Sequence, residues 1–184
     1  MDTFTIDPTL YEGRPAADAD RASVERACYD LLDRLEIPYQ RVDHSETPSI
    51  EACGAVEQVL GIEICKNLFL CNRQKTQFTL LLMPGRKAFR TKELSAQLGC
   101  SRLSFAGEYA MRELLGVTPG SVSVLGLMND TQNRVRLGID RDALAHPYFG
   151  CHPCRNTTSL RLRTEDLIGR ILPALHHEPV YVCL

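Results

Sequence analysis

Two apolar runs of strand length, residues 67–71 and 78–83, are separated by only six polar or small residues, 72–77. A half-buried strand alternates apolar and polar residues. These two are apolar almost throughout, as strands in the interior of a sheet are. The short polar segment between them predicts a hairpin turn. The fold must therefore place this hairpin at the centre of a sheet.

The rest of the chain reads around that hairpin. Val24, Ala27, Cys28, Leu31, Leu32 and Leu35 recur at spacings of three and four and predict a helix that Pro38 stops, with Asp20 or Ser23 as its cap. Residues 39–44 alternate like a strand. Thr47-Pro48 is expected to open a second helix that Gly61 ends. Residues 91–98 and 108–115 read as helices closed by Gly99 and Gly116. Residues 121–127 and 134–139 are expected to form a strand pair, joined by a turn containing Asn129, Asp130 and Asn133. Residues 102–105, 149–153 and 159–163 read as extended, Thr164 opens a final helix, and residues 180–183 form a closing strand. Strands and helices mix without regular alternation, which predicts an α+β fold with a mixed, largely antiparallel sheet wrapped by helices. Residues 1–19 lack periodicity and read as a flexible acidic arm, leaving 20–184 as one domain.

No apolar run approaches membrane-spanning length, and the acidic start is unlike a signal peptide, so a cytoplasmic location is expected. The eight cysteines are scattered through apolar segments and are expected to be reduced, mostly buried thiols. The net charge of −2 conceals a strong asymmetry. Residues 1–65 carry net −9, whereas residues 66–102 carry net +7, with Lys66 first in that run and Arg102 last. A polyanion needs a local positive surface rather than a positive total. A solvated face that offsets the acidic third would produce the same asymmetry.

Four segments carry a resemblance. They are Lys66-Asn67-Leu68-Phe69-Leu70; then Ser101-Arg102-Leu103-Ser104-Phe105-Ala106 with Leu115-Gly116-Val117-Thr118-Pro119-Gly120-Ser121-Val122-Ser123; then Gly126-Leu127-Met128-Asn129-Asp130; and His152-Pro153-Cys154-Arg155-Asn156-Thr157. In this order and spacing the chain resembles the prolyl-tRNA editing family, with its YbaK-like fold. Within it, the chain is most similar to stand-alone deacylases that remove alanine from proline tRNA. The resemblance implies ester hydrolysis of a mischarged aminoacyl-tRNA, without metal, cofactor or protein nucleophile. The attacking water is organised partly by the terminal ribose hydroxyl of the tRNA. Charged proline tRNA is then the partner, with prolyl-tRNA synthetase or an elongation factor as a further one; the oligomeric state is left open.

Such an ester is activated, so the site need only place a water, stabilise an oxyanion and hold the terminal adenosine. Gly116, Pro119 and Gly120 form a loop that can bare backbone N–H donors, though a helix cap followed by an ordinary turn has the same residues. The family resemblance assigns Lys66 to the substrate's phosphate or terminal adenosine. It places His152 near the acyl pocket, with a pKa suited to proton transfer near neutrality. Asn67, Arg102, Ser121, Ser123 and Asn156 complete the expected substrate contacts, and Leu103, Phe105 and Val122 are expected to line the pocket. Steric exclusion would let an alanine-sized pocket reject proline.

Three other readings compete. Cys151-His152-Pro153-Cys154 has the spacing of a thiol–disulfide motif, but lies late in the chain and outside a helix start. A zinc site would need a second ligand pair, and none has matching spacing. A non-catalytic sensor of charged tRNA would keep the same binding groups. Within the family, cysteine on proline tRNA is the alternative substrate.

Overall fold

The computed structural model describes residues 4–46 and 50–184, with side chains in the second stretch from Cys53 onward. Strand β3 (Lys66–Asn72) and strand β4 (Phe78–Met83) form the expected hairpin, with Lys66 opposite Met83 and Cys71 opposite Phe78. The Asn72 carboxamide closes its turn by accepting from the Thr76 and Gln77 amides at 2.9 and 3.2 Å. The hairpin is interior to a five-stranded sheet. Strand β5 (Leu103–Phe105) is antiparallel to β3, strand β6 (Val135–Asp140) is parallel to β4, and strand β9 (Pro179–Val182) is parallel to β6.

The strand expected at residues 121–127 is a 3-10 helix, Val124–Asn129, instead. Both edges of β6 are already occupied, by β4 and β9. The Ser123 hydroxyl also caps the helix, accepting from the Leu125 amide at 3.2 Å. The Asn129-Asp130 turn does form, and the Asp130 carboxylate accepts from the Arg134 and Val135 amides at 3.0 and 2.7 Å.

A second sheet runs β1 (Tyr11–Glu12), β2 (Gln40–Asp43), β8 (Thr158–Arg163), β7 (Tyr148–Cys151), antiparallel throughout. A parallel bridge between Ile64 and Gly150 joins it to the large sheet. The segment before residue 20, expected as a flexible arm, is packed from Phe4 onward. Phe4, Ile6 and Leu10 cover Val42, Val56 and Leu60, and Ile6 bridges His44. Arg14 pairs with Asp18, Asp30 and Asp33. No spacing rule reveals this, because the covering apolar residues are few and irregularly placed.

Helix α1 (Ser23–Arg34) buries Cys28, Tyr29, Leu31 and Leu32, the face its periodicity predicts. Its cap is Ala22, not Asp20 or Ser23, and makes no side-chain bond. The N-terminal turn is held by Arg21 and the buried Glu25 instead. Arg21 bonds Glu25, Asp43 and the Thr158 hydroxyl, tying α1 to β2 and β8. Helix α2 (Ile50–Leu60) ends at Gly61 as expected, whereas its expected start at Thr47-Pro48 lies outside the described residues. Helix α3 (Thr91–Leu98) ends at a left-handed Gly99. Helix α4 (Glu108–Ala110) continues as a wider π-helical turn, Met111–Leu115, and the last helical region runs α5 (Thr164–Asp166), Leu167–Ile171 and α6 (Leu172–Ala174).

The interior strands have two buried faces. Phe69, Leu80 and Leu82 face the main core with α1, β7 and β8, while Leu70, Leu81 and Met83 pack against Leu94 and Leu98 of α3. That is the physical meaning of the unbroken apolar runs. The fold is α+β, with mixed and antiparallel sheets wrapped by helices.

Candidate active site

The seam between the two sheets carries Lys66, Asn67 and His152. The Cys65 amide donates to the Gly150 carbonyl at 3.0 Å, beside the Ile64–Gly150 bridge. Two residues beyond that bridge, one on each of the segments it joins, stand Lys66 and His152. Asn67 follows Lys66 on the opposite face of β3, the face that carries Phe69 and Cys71 into the main core.

The glycine loop follows the Met111–Leu115 turn. Gly116 ends the Met111–Leu115 turn in a left-handed conformation, φ 65°. Residues 118–121 then form a type II turn, with Gly120 at φ 83° and the Ser121 amide bonded to the Thr118 carbonyl at 3.0 Å. Pro119 sets the first central φ and glycine supplies the second. Pro119 and Gly120 are exposed, so the tip of the turn faces solvent. Asn129 fixes this loop from behind, donating to the Leu115 carbonyl at 2.9 Å.

Close contacts join this loop to the β7–β8 hairpin. A Cβ on Gly120 would sit 3.6 Å from the Asn156 amide nitrogen, and one on Gly126 would sit 3.6 Å from the Cys154 sulfur. Ser123 also hydrogen-bonds Cys151. Gly120, Asn156 and His152 are thereby brought to one neighbourhood.

His152 is held firmly. Its Nδ1 lies 2.9 Å from the Thr158 carbonyl, which can only accept, so Nδ1 carries the proton and Nε2 keeps a lone pair. Ser159 Oγ lies 3.3 Å from the same Nδ1 and 2.9 Å from Nε2 of His44. Burial pushes the His152 pKa down to about 4 and also lowers that of His44. This corrects the expectation of proton transfer near neutrality: at pH 7 His152 is a neutral hydrogen-bond acceptor.

Asn67 donates weakly to the Cys65 carbonyl at 3.4 Å, and its buried Oδ1 has no partner among the described residues. An orphaned buried acceptor costs stability and is a reason to look for a ligand. Lys66 donates to the Lys87 carbonyl, and partial burial lowers its pKa.

Other expected contacts lie elsewhere. Ser123 is fully buried at its helix cap, and Ser121 is only 4% exposed, so neither hydroxyl faces solvent. Arg102 is exposed beside Leu103, which pairs with Asn72 at the far end of β3. Six strand steps separate that end from Lys66, roughly 20 Å. Leu103 is buried against α3, and Phe105 is exposed with Phe89 at its edge, so neither lies by the glycine turn; Val122 packs on the main core.

His44 and Ser159 were not singled out by sequence. They lie 115 residues apart, and only the antiparallel pairing of β2 with β8 brings them together. The thiol reading fails on burial: Cys151 and Cys154 are free and buried, and desolvation raises the Cys151 pKa, opposite to a reactive thiolate. Among the described residues no group of three His, Cys, Asp or Glu is placed to hold a metal ion, and no helix is long and apolar enough to cross a membrane.

Comparison with known proteins identifies the family. The aminoacyl-tRNA editing domain family matches residues 44–169. The prolyl-tRNA editing protein ProX of Acetoanaerobium sticklandii is 30% identical over 143 residues, covering 78% of this chain and 87% of that protein. A prolyl-tRNA synthetase associated domain-containing protein of Danio rerio is 31% identical over 182 residues, 98% of this chain and 97% of its own length. A crystal structure described as a candidate trans-editing enzyme for prolyl tRNA synthetase shares the fold, with a TM-score of 0.63 at 17% identity over 89% of this chain and 98% of that one. The matched segment begins at His44 and takes in Lys66, the glycine turn and the His152 hairpin, and the chain belongs to the aminoacyl-tRNA editing domain family.

Proposed function

We propose that this chain deacylates mischarged proline tRNA in trans, with alanine as the acyl group removed. The observation that carries this reading is the seam itself. His152, whose Nε2 keeps its lone pair, sits on the hairpin whose Asn156 meets the solvent-facing Pro119-Gly120 turn, and Asn67, whose Oδ1 is without a partner among the described residues, lies at the start of the strand that borders the same seam.

In this mechanism a water attacks the ester carbonyl carbon. The bond to the terminal ribose oxygen breaks, the proton passes to that oxygen, and free alanine and uncharged tRNA leave. The tRNA's neighbouring ribose hydroxyl and His152 Nε2 orient the water or the α-amino group. His152 accepts hydrogen bonds rather than taking the proton outright, as its low basicity requires. The backbone N–H of Gly120 at the exposed tip of the turn stabilises the oxyanion, a contribution commonly worth about 3 kcal/mol; the Gly116 and Ser121 amides are already bonded to the Arg112 and Thr118 carbonyls and hold the loop's shape. Asn67 Oδ1 accepts from the α-ammonium or a ribose hydroxyl. Asn156 braces the turn. Lys66 has N–H groups beyond its bond to Lys87 with which to meet a phosphate.

Charged proline tRNA is thus the partner. The similarity to residues within a proline–tRNA ligase of Methylobacillus flagellatus, of which the match spans 24%, supports a domain that works beside a synthetase. The test is deacylation by purified protein of alanyl-, cysteinyl- and prolyl-tRNA, all on proline tRNA. Selective release of alanine is expected. Selective release of cysteine overturns the acyl assignment, and binding without release overturns catalysis.

A further inference from the structure

The ring of His44 stands 6.1 Å from that of His152, centroid to centroid, and the Ser159 hydroxyl lies between them. Each bond in the series has only one workable direction. His44 Nδ1 is 2.7 Å from the Ser45 carbonyl, an acceptor, so Nδ1 carries the hydrogen and Nε2 the lone pair. The Ser159 hydroxyl, fully buried, therefore donates to His44 Nε2 at 2.9 Å. Its oxygen is left as an acceptor towards His152 Nδ1 at 3.3 Å, alongside the Thr158 carbonyl at 2.9 Å.

The opposite tautomer of His152 would turn an Nδ1 lone pair onto the Thr158 carbonyl oxygen. The Ser159 hydroxyl is the one neighbouring donor described here that could offset this, by donating to Nδ1. His44 has already taken that hydrogen. Thr158 itself is held through its side chain, which bonds Asp43 at 3.0 Å, Glu25 at 3.2 Å and Arg21 at 2.8 Å. Asp43 is the nearest charge acting on His44, and Arg21 and Arg41 neutralise it.

We propose that His44 is a positioning residue: by holding the hydrogen of Ser159 it keeps His152 in the tautomer whose Nε2 lone pair is free for substrate. The catalytic consequence rests on the deacylase reading above, whereas the tautomer itself does not. His44 contacts no reacting atom and acts only through Ser159. Its own ring is covered by Phe4, with centroids 6.3 Å apart, and its amide donates to the Thr157 carbonyl at 2.9 Å, so the N-terminal segment and the hairpin loop both fix it.

The test is long-range proton–nitrogen NMR of histidine-labelled protein near pH 7.5, with His152 assigned by the signal lost in His152→Gln. Wild type is expected to show His152 protonated at Nδ1 only. His44→Phe frees the Ser159 hydroxyl to donate to His152 and should shift His152 towards the Nε2-protonated form. Adding Ser159→Ala removes that donor and should restore the original tautomer. The first change should lower kcat roughly tenfold or more with KM little altered, and the second should recover most of it. A general loss of packing would not be repaired by a second deletion. Should His44→Phe fold poorly, as judged from amide dispersion, His44→Leu replaces it. Ser159→Ala alone is expected to leave the tautomer unchanged. An Nε2-protonated His152 in wild type, a tautomer indifferent to His44, or a flip in Ser159→Ala would each overturn the proposal. None of these spectra depends on deacylation, so failure here is separable from failure of the functional reading.

Discussion

Replacing Gly116 by alanine tests how the glycine loop is held. The position has φ 65°, and an added Cβ would lie 2.9 Å from the Asn129 amide nitrogen. A left-handed conformation costs an L-residue about 1–2 kcal/mol. Asn129 cannot swing aside freely, because that nitrogen donates to the Leu115 and Gly126 carbonyls at 2.9 and 3.4 Å. Moving it forfeits a hydrogen bond worth about 1 kcal/mol. The sum is about 2–3 kcal/mol, or a fall in Tm of roughly 4–12 °C for a chain of this size. Gly99 provides the control: its φ is 62°, but nothing lies within 4 Å of an added Cβ. Gly99→Ala should therefore cost only the backbone strain, about 1–2 kcal/mol. Calorimetry on both variants, with Asn129→Ala in each background, measures the difference. Equal losses for Gly116→Ala and Gly99→Ala, or no coupling between Gly116 and Asn129, would refute the account of the loop's anchor.

Three further outcomes are expected. Asn67→Leu removes a buried acceptor without a partner, so stability should stay level or rise by about 1 kcal/mol while deacylation falls at least roughly tenfold; a variant that is both stable and fully active removes Asn67 from the site. His152 has a folded pKa of about 4, below its ordinary value of 6.5, so the unfolded chain binds the extra proton in that interval. Stability from this group is complete above pH 6.5 and lost as pH falls towards 4, up to roughly 3 kcal/mol. Denaturant titrations across that window should show a shallower slope in His152→Gln, and an unaltered slope would exclude the burial-driven shift. Iodoacetamide at neutral pH should label the exposed Cys183 first and leave Cys28, Cys65, Cys71, Cys151 and Cys154 unmodified until the chain unfolds, as read by peptide mass spectrometry. Early labelling of Cys151 would revive a thiol role.

Local features were legible in the sequence and remote ones were not. The β3–β4 hairpin, the helix stops at Gly61, Gly99 and Gly116, and the amphipathic face of α1 all follow from residues close together in the chain. The parallel pairs β4–β6 and β6–β9 have no such signature, because a parallel partner must come from across a connection. Residues 121–127 have strand composition, yet β6 had no free edge to offer them. At the site, the glycine turn and the His152 hairpin were found as contiguous motifs. Arg102 belongs to a segment grouped with them by resemblance, and it precedes β5, whose Leu103 pairs with Asn72 at the end of β3 away from Lys66. In sequence His44 only ends an alternating run, since its partner Ser159 becomes its neighbour through sheet pairing alone.

The order of the strands has a bearing on how the chain is made. A ribosome releases the β3–β4–β5 segment early, and those three strands can pair with one another as soon as residue 105 has emerged. The small sheet must wait. β1 and β2 appear near the start and can pair with each other, but β2 meets β8 only after residue 163 is made, so that edge of β2 stays open through most of elongation. The two halves of the seam, Lys66 and His152, are released 86 residues apart. At typical elongation rates of about 5–20 residues per second, the nascent chain spends on the order of 4–17 seconds with one half exposed and the other unmade.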